Sequence, residues 1–172
     1  FFFPENASYV GEFTILDIGL SDQFIKEQSV THYQLSQTFI TSLRKPRKKF
    51  SHKGNFGHAL LIAGSYGKMG AAVLATKACL RSGTGLLTVH IPACGYNIIQ
   101  TTNPEAMAVT DSHEKMIGDE VPFHSFSAVG IGPGIGMDNS TQKALHFLLT
   151  FSESPLVLDA DALNILSENK TW

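Results

Sequence analysis

Charge is scarce in this chain. Only 16% of its 172 residues are Asp, Glu, Lys or Arg, and the formal net charge is −2. So weak a field excludes a protein that gathers nucleic acid or an anionic membrane by electrostatics alone. Cysteine is scarcer still. Cys79 and Cys94 supply no disulfide framework and no metal-ligand spacing, and both are expected as free thiols in a reducing compartment, the cytoplasm. No run of 18 apolar residues occurs, so no transmembrane helix is expected. The opening FFFPENASYVGEF carries Glu5, Asn6 and Glu12 and no basic segment, which excludes a signal peptide. An initiating methionine is missing too, and an excised or incomplete chain is expected. His58, His90, His113, His124 and His146 show no two- or four-residue ligand spacing, so no zinc site is expected. GxSxG is absent, and neither cysteine has a histidine neighbour that would suggest a Cys–His nucleophile.

What the chain has is apolar residues, at 43%, enough for one domain or slightly more. Residues 1–20 read as a polar turn and an extended piece, FTILDIGL. A helix is expected from about Tyr33 to Leu43, with Leu35, Phe39, Ile40 and Leu43 on one face. The run RKPRKK (44–49) reads as a solvated connector, with Pro46 turning Lys45 away from helical geometry. Beyond His52 short apolar runs alternate with helical patterns. Strands are expected at 59–63, 86–91, 107–109, 127–131 and 156–158, and helices at 70–82, 94–100, 139–149 and from 162. Such alternation argues for an α/β fold, a mostly parallel sheet with helices on both faces. A sheet stopped at SENKTW would leave an unprotected edge, so a truncated domain is expected.

Three constellations follow expected strands. In Gly64-Ser65-Tyr66-Gly67-Lys68-Met69-Gly70 a strand runs into a helix, whose first-turn amides suit an anion. Walker A fails here, since Met69 follows Lys68 and position 62 is not glycine. In Gly130-Ile131-Gly132-Pro133-Gly134-Ile135-Gly136 the dinucleotide spacing fails as well, leaving a platform poor in side chains that suits a flat ligand. In Asp159-Ala160-Asp161 two carboxylates leave a strand end. Asp159 is the better ligand for magnesium or a hydroxyl, and Asp161 reads equally as a helix N-cap. Bland readings remain open for each: tight packing at Gly70, Ala71 and Ala72, a plain turn at 130–136, and a surface loop at His52 and Lys53. All three constellations lie at carboxyl ends of strands, where ligands of open α/β sheets bind, so a nucleotide-like pocket is the leading expectation.

Read together, HKGNFG (52–57), LLIAGSYGKMGAAVLATKACLRSGTGLLTV (60–89), NPEAM (103–107), GIGPGIG (130–136) and VLDADALNIL (157–166) closely resemble the ADP-dependent NAD(P)H-hydrate dehydratase family, whose fold is ribokinase-like. Residues 1–20 look like the tail of an NAD(P)H-hydrate epimerase domain. The resemblance thus implies an epimerase tail (1–20), a linker with a helix (21–50) and the N-terminal part of a dehydratase domain (51–172). It implies repair of the S epimer of NADHX or NADPHX at the expense of ADP or ATP, with Mg2+, in a parent that is a homo-oligomer. It places Ala71 or Ala72, Gly132 or Gly134, Asp159 and Asn164 against the substrate. Lys53, Gly67 and Gly70 remain candidates for phosphate or loop contacts. The family's Gly-Ser-Gly-Asp turn, with its catalytic base, does not occur in this chain and is expected beyond Trp172. Two alternatives stand beside this reading: a small-molecule kinase of the same class, and a nucleotide-binding module without chemistry.

Overall fold

The computed structural model describes residues 1, 3–44, 46–118, 123 and 125–172. Lys45 and His124 lie outside the described residues. The chain forms two compact units, Phe1–Pro46 and Arg47–Trp172.

The first unit has a 3-10 turn at Pro4–Asn6 and two short helices, α1 (Asp22–Glu27) and α2 (Gln37–Ser42). Each helix opens on a serine: Ser21 Oγ accepts from the Phe24 amide and Ser36 Oγ from the Phe39 amide. Such a cap is worth about 1 kcal/mol. The Ser36 cap also starts α2 later than the expected Tyr33. Residues 13–20 form no strand. None of the described residues of this unit is buried.

The second unit is a five-stranded sheet with helices on both faces. Its strands are β1 (His58–Ile62), β2 (Leu86–Ile91), β3 (Met107–Thr110), β4 (Ala128–Ile131) and β5 (Leu156–Leu158). Its helices are α3 (Met69–Arg81), α4 (Tyr96–Thr102), α5 (Asn139–Phe151) and α6 (Asp161–Glu168). The strand order is β3-β2-β1-β4-β5, with every pairing parallel. Because side chains alternate along a strand, the register sorts the core into two layers. Leu60, Ile62, Val129 and Ile131 face one way and pack with Leu145 and Leu148 of α5 and Ala162 and Ile165 of α6. Leu87, Val89 and Ile91 face the other way and pack with Met69 and Ala72 of α3 and Ile99 of α4. Each fully buried Leu or Ile contributes about 1.5–3 kcal/mol.

The topology sets the site. From β1 the chain steps outward to β2 and β3, then returns across the sheet to β4 and β5. The connections leaving β1 and β4 therefore run to opposite faces. Between their carboxyl ends lies the topological switch point, where a crevice opens in sheets of this kind.

Candidate functional site at the switch point

The loops leaving β1 and β4 are neighbours on this rim and are bonded together. The Gly64 amide donates to Pro133 O at 2.8 Å, and Ser65 Oγ donates to Gly134 O at 2.7 Å. The turn leaving β5 closes against both. The Asp159 amide donates to Ile131 O at 3.1 Å, and a Cβ on Gly132 would collide with the Asp159 carbonyl. Only glycine fits there, at φ +140°.

Asp161 is the hub of the three segments. Its Oδ2 accepts from the Gly136 amide at 2.8 Å and lies 3.6 Å from Lys68 Nζ, while Asn164 Nδ2 stands 3.4 Å from Oδ1. The N-cap expected for Asp161 is a correction: Ala160 occupies the cap and Asp161 is the first residue of α6. The reason is the turn itself. Ala160 adopts φ 46° and ψ −116°, a conformation costly to an L-residue by about 1–3 kcal/mol, and this swings Asp161 onto the β4 loop. Sequence reasoning undervalued Asp161, because its amide partner lies 25 residues away. Asp159, by contrast, is exposed, and its carboxylate takes no hydrogen bond from any described residue.

The remaining expected residues divide. Ala71 is half-buried and faces Gly134, whose added Cβ would come within 2.9 Å of the Ala71 methyl. Ala72 is fully buried under α3, with its methyl against the rim loop, where a Cβ added at Gly64 would come within 3.1 Å of it. Gly67 and Gly70 border open space, with nothing within 4 Å of an added Cβ. No side chain caps α3 at Lys68, and of its first-turn amides that of Ala71 donates to Lys68 O at 3.1 Å, which leaves those of Met69 and Gly70 for solvent or a ligand. Asn164 is exposed on the first turns of α6. Lys53 is not brought to this rim. It sits in a 3-10 turn ahead of β1, with its carbonyl packed against Gly85 ahead of β2, at the amino end of the strands.

Among the described residues no three His, Cys, Asp or Glu side chains gather as a metal site. Burial pushes the Cys79 thiol up, and burial with the Glu114 charge does the same at Cys94, so neither is an activated thiolate. In the basic run, Arg47 donates to Gly83 O at 3.0 Å and lies 4.4 Å over the Phe56 ring, which makes it part of the second unit rather than a free cation. No helix among the described residues is long and apolar enough to cross a membrane.

The family model for NAD(P)H-hydrate dehydratase, Carb_kinase, matches residues 59–171. The chain belongs to the NAD(P)H-hydrate dehydratase family. Among curated relatives, the bifunctional NAD(P)H-hydrate repair enzyme Nnr of Coxiella burnetii is 33% identical over 169 residues, covering 94% of this chain and 33% of the relative. The ADP-dependent (S)-NAD(P)H-hydrate dehydratase of Staphylococcus aureus is 37% identical over 134 residues, covering 76% of this chain and 48% of the relative. The ADP/ATP-dependent NAD(P)H-hydrate dehydratase of Bacillus subtilis, co-crystallised with ATP/Mg2+, superposes with a TM-score of 0.65 at 33% identity, over 74% of this chain and 46% of that one. A ribokinase-like superfamily protein from Enterococcus faecalis superposes at 0.66 with 26% identity, over 83% of this chain and 52% of that one. The fold of this dehydratase-family chain is therefore ribokinase-like. The chain spans from a third to about half of the length of these relatives.

Proposed function

We propose that the protein to which this chain belongs dehydrates the S epimer of NADHX or NADPHX back to the reduced cofactor, consuming ADP or ATP. The carrying observation is the switch-point rim, where the loops after β1, β4 and β5 are bonded into one surface. The family match over 59–171 supplies the chemistry. When bound, the nucleotide supplies a phosphoryl group that turns the hydrate's hydroxyl into a leaving group.

This chain's part in that reaction is binding and orientation. Gly132 and Gly134 let the β4 loop lie flat, so that a planar group could rest on backbone. The open surface at Gly67 and Gly70 admits a second group close to the N-terminus of α3, where an anion is stabilised. Ala71 shapes the contact between them, and Asp159 and Asn164 offer polar atoms at the far side. The described residues make no cage for magnesium, and one or two carboxylates with phosphates are its usual protein partners. The proton-removing group belongs to a Gly-Ser-Gly-Asp turn that this chain does not contain.

The first unit supports a fused architecture. Matches to bifunctional repair enzymes cover 90–95% of this chain, whereas those to single dehydratases cover 72–78%. We read 1–20 as the end of an epimerase domain, 21–50 as the linker and 51–172 as dehydratase. A cytoplasmic homo-oligomer fits an enzyme acting on pooled nicotinamide cofactors.

The test is turnover by the full-length protein. Recovery of NAD(P)H absorbance from the hydrate with ADP, and none without it, is the expected result. A folded full-length protein, supplied with magnesium, that restores no absorbance with ADP or ATP would overturn the reading.

A further inference from the structure

We propose that Asp111 is a positioning residue of the rim: it folds residues 111–118 into a strap across the carboxyl ends of β2 and β1, and the strap fixes the Gly64–Gly70 loop. Its effect on turnover rests on the dehydratase reading; its effect on the loop does not.

Asp111 follows β3 and is only 3% exposed. Among the described residues four donors converge on its carboxylate. His113 gives two to Oδ1, its amide at 2.9 Å and Nδ1 at 2.9 Å. Oδ2 takes His90 Nε2 at 3.0 Å and the Gly118 amide at 2.9 Å. A carboxylate only accepts, so both ring nitrogens facing it carry their hydrogens. The Gly118 bond closes the strap upon itself. The His90 bond ties it to β2. On the other side of the His90 ring, Nδ1 is buried without a partner. Leaving such an atom unsatisfied is unfavourable, so the attachment to Asp111 has to outweigh it.

So folded, the strap offers its carbonyls to three separate elements. His113 O and Glu114 O accept from Ala93 and Cys94 in the turn after β2, at 3.0 and 3.1 Å. Ile117 O accepts from Thr141 Oγ1 of α5 at 2.7 Å. Lys115 O accepts from the Tyr66 amide at 2.8 Å, inside the glycine loop, and Lys115 Nζ lies 5.0 Å from the centre of the Tyr66 ring. Tyr66 stands between Ser65, which is tied to Gly134, and Gly67, which borders open space. The strap therefore grips the loop at the residue where packed backbone gives way to open backbone. A buried carboxylate with directional donors has one low-energy arrangement, so the grip is specific rather than adaptable.

The experiment compares full-length wild type with Asp111→Asn, which keeps the shape but turns amide hydrogens toward the donors. Amide exchange at Tyr66 is read against Leu60 and Ile62 of β1, alongside KM and kcat for NAD(P)H hydrate. Asp111→Asn is expected to speed exchange at Tyr66 about tenfold while β1 amides hold. KM for the hydrate is expected to rise about tenfold with kcat changed less than about threefold. His113→Ala removes one donor from a half-exposed ring and is expected to shift both readouts the same way by less, so it carries the test if Asp111→Asn does not fold. Unchanged exchange at Tyr66 overturns the proposal. Faster exchange with unchanged KM makes Asp111 a structural residue only, and also overturns it. Wild type without turnover defeats the dehydratase reading, while exchange at Tyr66 still decides whether Asp111 sets the loop.

Discussion

A methyl group added at Gly132 would enter the Asp159 carbonyl, and one added at Gly134 would stand 2.9 Å from Ala71 Cβ and 3.1 Å from Lys68 O. One added at Gly67 or Gly70 would meet nothing within 4 Å. The β4 loop thus uses glycine because protein already fills the space. The later part of the β1 loop has glycine where space is free. Gly70 is the sharper case, since it lies in the first turn of α3 with ordinary helical geometry, where alanine is the better residue. No packing among the described residues accounts for it. Glycines alike in sequence therefore report opposite things: a finished contact at β4, and room for something else at β1.

Four substitutions in the full-length protein would break or sharpen that contrast. The largest effect belongs to Gly132→Ala, where a backbone collision and a left-handed φ combine; its unfolding free energy in urea is expected to fall by about 3 kcal/mol or more. A loss under about 1 kcal/mol would mean the β4 loop is not packed as described. Asp161→Ala comes next. It leaves the Gly136 amide without its carboxylate, at a cost of about 1–3 kcal/mol by the same measurement. Gly70→Ala should go the other way, stabilising the fold by about 0.5–1 kcal/mol. The same change should raise KM for the hydrate or nucleotide about tenfold, because the methyl enters the open space. A more stable variant with unchanged KM would show that this space is merely solvent. Lys68→Ala should do least, under about 0.5 kcal/mol, since its pair with Asp161 spans 3.6 Å and the lysine is 55% exposed.

Much of the second unit is legible from periodicity. Leu86–Ile91 and Leu156–Leu158 match their expected bounds, and α3 begins at Met69, one residue before the expected start. Such runs are strand-length and mostly apolar because a parallel sheet buries both faces of its central strands. The first unit is less legible. No residue of FTILDIGL or DQFIKE is buried, so burial left no pattern to be read, and serine caps set the helix starts. At the site, Ala71, Gly132, Gly134, Asp159 and Asn164 are all at or beside the rim, but the means by which they are held was not visible. Asp161 reaches Gly136 over 25 residues, and His90 reaches Asp111 over 21. Neither pair has a motif, because its partners meet only once the strands are ordered. Lys53 shows the converse. It precedes β1 closely in sequence, yet a strand's length separates it from the loop that follows.

By itself the sequence determined which segments of the second unit are strands and helices, that the sheet is parallel, and which family the chain resembles. Those properties depend on local pattern: period, glycine placement and the spacing of short motifs. The tertiary structure decided that β1 and β4 are neighbours, and hence that their loops face each other at the switch point. It also decided which glycines are filled, which are open, and which carboxylate is the hub. These are contacts between segments distant along the chain, and only the lateral order of the sheet brings them together.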